Sequence, residues 1–295
     1  MTADHNNDKL GKVKRMDPLI RSILNKNQIN EPVVKLKTHG IANEIYATPN
    51  FILRIPTDHP QAKPDAYTES VAAPVARANG IKTPELICFD NSFTLIDKTY
   101  SIWERIHGDT LGEIDNYLQN KNTWNEIGYE LGKVHVDIKS CDDPNGWLDS
   151  PETFREYTKQ MMLQGLKDTE IKSTYLLELV ENKYTDEIFS YKKCFVHGDT
   201  NEYNFLCNKN GQLLSIIDWG DAGWGDPAID FYVIPMEVLD YVLDGYTDSA
   251  KANIDVGFMY RIILDKIWSG VEENQDIGSL EENIKNLESK LIKRL

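Results

Sequence analysis

Three oxygen-bearing side chains stand at a spacing that suits phosphoryl transfer. Asn204 follows Asp199 by five residues, and Asp218 follows Asn204 by fourteen. One carboxylate can orient an attacking hydroxyl and accept its proton, while a second carboxylate and an amide oxygen are ligands that magnesium prefers. Short apolar runs precede Asp199 and Asp218, which is typical of loops at strand ends. We therefore predict that Asp199 is catalytic and that Asn204 and Asp218 bind magnesium.

The spacing of these groups matches that of protein kinases, which also place an Asp five residues before an Asn and follow with Asp-Phe-Gly. Here the loop reads His-Gly-Asp at residues 197–199, and the triplet reads Asp-Trp-Gly at residues 218–220. With Gly where protein kinases have Arg, and Asp-Pro-Ala-Ile-Asp at residues 226–230, the chain resembles the aminoglycoside phosphotransferase family of small-molecule kinases. The resemblance covers about residues 35–230 and implies an α+β, protein-kinase-like fold with two lobes.

Three residues near the catalytic loop are expected to be structural. The resemblance implies that His197 supports the loop through hydrogen bonds and that Asp230 ties the following helix to it. Asp226 precedes Pro227 and can cap the helix that is expected from there to about residue 242.

The remaining nucleotide-binding groups are expected in the N-terminal part. A kinase needs a cation on its third strand to hold the phosphates and an acid on the next helix to hold that cation. Arg54 and Glu69 take these places, and Arg binds phosphate in a bidentate manner without losing its charge. The turn at Gly40 would present backbone donors to the phosphates. By resemblance, Glu104 and Ile106 form the hinge that reads the base, which could belong to ATP or GTP.

Hydrophobic periodicity divides the chain into two parts. Residues 1–105 contain a first helix from Pro18, about five strands and a second helix, and residues 106–295 are mostly helical around one strand-rich segment. We predict a small β-rich nucleotide-binding lobe over 1–105 and a helical lobe with the catalytic loop and substrate site over 106–295. We also expect Pro74 to kink or shorten its helix, and Thr123 and Glu126 to form a capping box.

The charge is unevenly distributed, with a net +2 on residues 1–100 and −17 on residues 101–295. Such an acidic half argues against nucleic acid and can attract a polycationic substrate, although it can also serve solubility alone. Together with the motifs it favours an aminoglycoside or similar cationic antibiotic as acceptor, with Glu202 and Asp221 as candidate ammonium partners. A sugar, an amino alcohol, homoserine or a macrolide stays open, because the family includes all these substrates.

No stretch of the chain predicts a membrane or secretory segment. The longest apolar runs fall short of the ~18–20 residues of a membrane helix, and the polar, acidic start differs from a signal peptide. The four cysteines form no C-x-x-C pair. We expect a cytoplasmic protein. An apolar stripe over residues 277–291 could serve a homodimer, but we expect it to pack onto its own lobe.

The sequence thus predicts a magnesium-dependent transferase that moves the γ-phosphate of ATP or GTP to a hydroxyl of a small molecule, with antibiotic resistance as one biological role. An alternative of another class is a pseudokinase that binds nucleotide and serves as an interaction module. Arg54, the glycine-poor loop and the apolar stripe near the C-terminus favour this alternative. The complete set of Asp199, Asn204 and Asp218 favours the enzyme.

Overall fold

The computed structural model describes residues 18–37, 40–143, 146, 148, 152–169, 172–250 and 254–295. Residues 38–39, which precede Gly40 in the turn expected to bind phosphate, lie outside the described residues. No helix in these described ranges is long and apolar enough to cross a membrane.

The N-terminal lobe is an antiparallel sheet of five strands with two helices. Its elements are α1 (Pro18–Lys26), β1 (Val34–Lys35), β2 (Asn43–Ala47), β3 (Phe51–Pro56), α2 (Ala62–Ala78), β4 (Leu86–Asp90) and β5 (Tyr100–Glu104). The strand order is β1-β2-β3-β5-β4, which places β3 at the centre. Because side chains alternate along a strand, Leu53 and Ile55 enter the core under α1 while Arg54 points to the other face.

Helix α2 continues past Pro74, so the expectation that this proline would shorten the helix was wrong. Ala72, Ala73 and Ala76 are buried on both sides of it. Tertiary packing of these small side chains therefore outweighs the one backbone hydrogen bond that a proline removes. The helix ends before Gly80, whose φ of 75° is the left-handed conformation that ends many helices.

The C-terminal lobe is helical, with short strands next to the catalytic loop. Its elements are β6 (Asp109–Thr110), α3 (Lys121–Asp137), α4 (Glu152–Asp168), α5 (Thr174–Lys183), β7 (Cys194–Val196), β8 (Phe205–Cys207), β9 (Leu213–Ile216), β10 (Gly223–Gly225), α6 (Leu239–Ala250), α7 (Val256–Glu272) and α8 (Ile277–Ile292). Strand β7 pairs with β10, and β6, β8 and β9 form a separate sheet. The residues before Asp199 and Asp218 are thus strands, as predicted.

The helix that was expected over residues 227–242 is instead two elements. Pro227–Phe231 form a 3₁₀ helix, and α6 begins only at Leu239. Pro235 lies between them, and a proline disfavours helical backbone at the residue before it. The start at Pro227 was therefore predicted correctly, and the continuous helix was wrong.

The expected capping box at Thr123 and Glu126 is also wrong. The Thr123 hydroxyl donates to the Gly211 carbonyl oxygen, and the Glu126 carboxylate accepts from Leu213 N at 3.2 Å and pairs with Lys82. Both side chains therefore bond to residues outside α3 instead of capping it, and they connect α3 to the turn between β8 and β9.

The apolar stripe of α8 is buried within its own lobe. Its members share 0–5% exposure and belong to the main hydrophobic core: Ile277, Leu280, Ile284, Leu287 and Leu291. The stripe packs as expected and offers no surface for a partner, so a homodimer formed elsewhere stays a prediction.

Two glycines let α3 and α6 approach each other closely. A Cβ on Gly128 would lie 1.8 Å from the Val242 carbonyl oxygen, and one on Gly245 would lie 1.8 Å from the Asn125 carbonyl oxygen. Because both obstacles are helix backbone, no side-chain rotation can relieve them. The crossing of α3 and α6 therefore depends on glycine at both positions.

We expect Gly128→Ala to lower the free energy of unfolding by about 2–3 kcal/mol, because the overpacking cost exceeds the gain in helix propensity. Chemical denaturation measures this change. Asn122→Ala, at an exposed position of the same helix, is the control and should leave stability nearly unchanged. Equal stability of the two variants would contradict the close crossing.

Candidate active site

Arg54 connects the two lobes. Its Nη1 lies 2.5 Å from Oε1 of Glu69 on α2, and its Nη2 lies 3.0 Å from Oδ1 of Asp218. Burial disfavours the charged guanidinium, but the charges of Glu69 and Asp218 outweigh burial and raise the pKa of Arg54. The sequence predicted the pair with Glu69. The contact with Asp218, 164 positions away, was not predicted.

Asp218 combines a negative charge with a free oxygen. Its φ of 64° is left-handed, a conformation that Asp adopts more readily than most residues. Burial alone would raise the pKa of Asp218, but the charge and hydrogen bond of Arg54 lower it below its ordinary value. Its Oδ2 accepts no hydrogen bond from any described residue, since Arg54 binds Oδ1. This oxygen can therefore bind a cation.

The catalytic loop holds the Asp199 carboxylate with two amides. Asn201 Nδ2 donates to Oδ1 at 2.8 Å, and Asn204 Nδ2 donates to Oδ2 at 2.9 Å and to the Asp199 carbonyl oxygen at 2.8 Å. Asn204 thereby turns its Oδ1 away, and that oxygen accepts no hydrogen bond from the described residues. The structure thus brings Asp199 and Asn204 together, with one oxygen of Asn204 available to a metal.

Asp230 is the buried anchor of the catalytic loop. Its carboxylate accepts the backbone N–H of His197 at 2.9 Å and that of Gly198 at 2.7 Å, and its carbonyl oxygen accepts the Thr200 hydroxyl at 2.7 Å. The same carboxylate lies 2.9 Å from Nε2 of the buried His135. These contacts agree with the supporting role that the resemblance implied for Asp230.

His197 and Asp226 also make structural contacts. The fully buried ring of His197 places Nε2 3.0 Å from the Ile217 carbonyl oxygen, which joins the catalytic loop to the residue before Asp218. Asp226 accepts the Ala228 N–H at 2.9 Å and lies 2.6 Å from Nε of Arg261. Neither side chain carries a free group toward the cleft.

Two further acids approach the metal-binding candidates. Burial, together with the negative charges of Asp65, Asp199 and Asp218, raises the pKa of Asp221 to about 7. Burial and the charge of Asp218 likewise raise the pKa of Asp65 to about 6. Asp65 was not singled out in the sequence, where it is only an acid in a first helical turn. Asp65 can lie here because residue 220 is glycine: a Cβ on Gly220 would lie only 2.7 Å from the Cβ of Asp65.

The donor set fits magnesium rather than a cage-like metal site. No three His, Cys, Asp or Glu side chains in the described part of the chain converge on one metal position. Magnesium commonly uses one or two protein ligands and takes the remaining oxygens from substrate phosphates and water. Asn204 and Asp218 supply two such oxygens, and the excess of neighbouring carboxylates favours a cation there.

A cavity of about 550 Å³ lies between the lobes. Arg54 and Glu69 lie on its lining, and Glu104, Ile106 and Gly108 line the side where the lobes connect. The Ile106 N–H has no hydrogen-bond acceptor among the described residues, so it can donate to a base. Apolar side chains form much of the remaining lining: Leu36, Ile45, Ile52, Trp103, Leu206, Ile217 and Trp219.

Of the predicted site residues, only Arg54, Glu69, Glu104 and Ile106 line this cavity, and its lining does not include Asp199, Asn204 or Asp218. Gly40 is absent from its lining, and its neighbours at 38 and 39 lie outside the described residues. Glu202 accepts a hydrogen bond from Tyr117 at 3.3 Å, and Asp221 lies near Asp199. Glu202 and Asp221 thus belong to the catalytic-loop side, where an acceptor would be expected. Tyr117 belongs to no sequence motif, and its contact with Glu202 was not predicted.

Gly198 explains why this loop has no Arg before its Asp. Its φ is 88°, and a Cβ would lie 2.2 Å from the Asp221 carbonyl oxygen. Gly80 has a similar φ of 75° but nothing within 4 Å of its Cβ position.

We expect Gly198→Ala to lose at least about 2 kcal/mol more unfolding free energy than Gly80→Ala, because only the first adds a backbone clash to the same strain. Denaturation of both variants measures the difference, and equal losses would contradict the close packing.

The chain matches a known family of enzymes over most of its length. A model of the phosphotransferase enzyme family, APH, matches residues 34–249. The chain is similar to a streptomycin-ATP-APH(2")-IIa ternary complex (18% identity, 94% of this chain and 97% of that chain, TM-score 0.55). It is also similar to macrolide 2'-phosphotransferase MphH from Brachybacterium faecium (14% identity, 93% of this chain and 97% of that chain, TM-score 0.58).

A third similar structure is a choline/ethanolamine kinase family protein from Mesorhizobium loti (15% identity, 92% of this chain and 95% of that chain, TM-score 0.53). Further similar structures contain ADP or GDP. At these identities the structures show a shared fold, which is the predicted α+β, two-lobed, kinase-like fold. The family match extends over most of the chain, and the chain belongs to the APH phosphotransferase enzyme family.

Proposed function

We propose that this protein is a magnesium-dependent kinase that transfers the γ-phosphate of ATP or GTP to a hydroxyl of a small molecule. The main observation behind the proposal is the double contact of Arg54 with Glu69 and Asp218. In kinases the equivalent cation must be held by an acid of the following helix before it can hold the phosphates. The arginine therefore replaces the usual lysine without loss of that arrangement, which argues against a pseudokinase.

Each group has a separate task in this proposal. Arg54 steadies the α- and β-phosphates, and the hinge at Glu104 and Ile106 offers backbone groups to the base. Asn204 and Asp218 would hold magnesium, which neutralises phosphate charge when it is bound. Asp199 orients the acceptor hydroxyl and accepts its proton. Catalysis then rests on positioning and charge neutralisation, without a covalent intermediate.

The nucleotide could be ATP or GTP. Similar structures are complexes with ATP, ADP or GDP. The apolar walls of the cleft accept either purine, and the choice depends on the hinge backbone around Ile106. Gly40 would cover the phosphates with its backbone N–H, as the position between β1 and β2 suggests.

The favoured acceptor is an aminoglycoside or a similar cationic antibiotic. The −17 charge of residues 101–295 supports a cation, and Glu202 and Asp221 lie on the catalytic-loop side. The similar structures also include proteins named for macrolides and for choline or ethanolamine. A macrolide or a small metabolite such as an amino alcohol, a sugar or homoserine is therefore the alternative acceptor, and resistance or metabolism is the corresponding role.

The isosteric variant Asp199→Asn tests the assignment of the base. We expect its kcat to fall by about 10²–10⁴-fold, because an amide cannot accept the hydroxyl proton. The dissociation constant of the nucleotide should stay within a few-fold of the original value. Asp186→Asn, an exposed acid on the C-terminal lobe, is the matched control and should keep full turnover. Unchanged turnover in Asp199→Asn would remove Asp199 from the mechanism.

Salt dependence tests the cationic acceptor. Exposed charges are screened within about 8 Å at physiological ionic strength and within about 3 Å at 1 M. We expect the KM of an aminoglycoside to rise several-fold between these two conditions, and the double variant Glu202→Gln, Asp221→Asn to show a higher KM with less salt dependence. A KM that does not change with salt in the unmodified protein would count against a cationic acceptor.

A further inference from the structure

A second cavity of about 570 Å³ lies within the C-terminal helices. It is bounded by α4, by α7 and by the chain between α5 and β7, and it shares none of its described lining residues with the nucleotide cleft. Asp226 and Ile229 form part of its lining, so it adjoins the segment that holds the catalytic loop. Nothing in the proposed kinase mechanism uses this cavity.

Aromatic rings dominate the cavity lining. They are Tyr157, Tyr184, Phe189, Tyr191, Tyr232 and Trp268. The rings of Tyr184 and Phe189 pack 4.6 Å apart, whereas Tyr157 is 58% exposed. The faces of such rings carry negative potential and attract cations.

Both arginines of the lining are already paired. Arg261 is 2% exposed, lies 2.6 Å from Asp226 and donates to the Ile188 carbonyl oxygen at 2.7 Å. Arg155 stacks over the Phe189 ring at 5.8 Å and lies 3.7 Å from an oxygen of Asp186. Neither guanidinium therefore pairs with the two other acids of the lining, Asp265 and Glu272.

Asp265 is the unmatched charge of the cavity. It lies on the lining but forms no hydrogen bond or ion pair with any residue that the structure describes. The next residue, Lys266, directs its ammonium to the carbonyl oxygens of Tyr232 and Ile234, the second at 2.7 Å. Burial outweighs the opposing charge of Lys266 and, with a contribution from Glu272, raises the pKa of Asp265 to about 6. A half-buried carboxylate without a partner is costly, so it is expected where a ligand completes it.

We propose that this cavity binds an organic ammonium ion with apolar substituents, held by Asp265 and surrounded by the aromatic rings. The carboxylate supplies the counter-charge and the rings supply cation–π contacts and apolar area. The inference goes beyond the kinase proposal, because binding here does not depend on nucleotide turnover. An anion would be repelled by Asp265, and a neutral ligand would leave its charge without a counter-charge.

Binding of a simple probe to the full chain tests the charge requirement. Tetraethylammonium should bind and change the fluorescence of Trp268, and triethylcarbinol, a neutral molecule of similar branching, should bind at least tenfold more weakly. Trp268→Phe should remove the fluorescence change while calorimetry still detects binding. Absence of tetraethylammonium binding, or equal binding of the two probes, would overturn the proposal.

Two variants locate the site. Asp265→Asn should raise the dissociation constant of tetraethylammonium at least tenfold, and Tyr157→Leu, at an exposed position, should raise it several-fold. Glu282→Gln removes the same charge from an exposed position of α8 and should change nothing. Unchanged affinity in Asp265→Asn would overturn the assignment.

Stability without any ligand gives an independent measurement. Because Asp265 has no hydrogen-bond or ion-pair partner among the described residues, Asp265→Asn should raise the melting temperature of the ligand-free protein by about 2 °C or more, while Glu282→Gln should not. A lower melting temperature in Asp265→Asn would mean that the carboxylate stabilises the fold through a partner of its own, and it would overturn the proposal. Nucleotide turnover tests the kinase separately, so the two proposals can fail independently.

Discussion

The double ion pair of Arg54 is the interaction on which the rest of the active site depends. A single guanidinium fork contacts Glu69 of the N-terminal lobe and Asp218 of the C-terminal lobe, at 2.5 and 3.0 Å. The guanidinium therefore positions α2 against the sheet, and it also positions Asp218, a metal-binding candidate, beside the cleft. A lysine ammonium lacks the planar fork that binds two carboxylates side by side. The arginine in this chain is thus suited to hold both lobes in one arrangement.

The second constraint is the rigid base beneath the catalytic loop. Asp230 is fully buried and satisfies two consecutive backbone N–H groups, which fixes the loop from below, and His135 in turn holds Asp230. Burial disfavours protonated His135, but its hydrogen-bond partners outweigh burial and raise its pKa well above the ordinary value. The same carboxylate is held ionised, since His135 outweighs burial and lowers the pKa of Asp230. A charged, fully paired support of this kind lets Asp199 keep one orientation.

The sequence predicted the parts of the site whose residues are close to one another in the chain. The catalytic loop, Asn204 and the triplet at Asp218 form one segment, and Arg54 and Glu69 lie on neighbouring elements. What depended on distant contacts was missed: Arg54 reaches Asp218, α2 brings Asp65 to Gly220, and Thr123 bonds to a turn near residue 211 instead of capping its own helix. Local patterns report backbone preference, whereas these contacts follow from how the elements pack.

The central claim is that this arrangement transfers phosphate, and the most direct measurement is nucleotide consumption with magnesium. ATP and GTP would be tested separately against aminoglycosides, macrolides and small hydroxylated metabolites, with Asp199→Asn as the background. The account predicts turnover that requires one acceptor class and is lost in the variant. Nucleotide that raises the melting temperature without turnover for any acceptor would contradict it and would support a binding module instead.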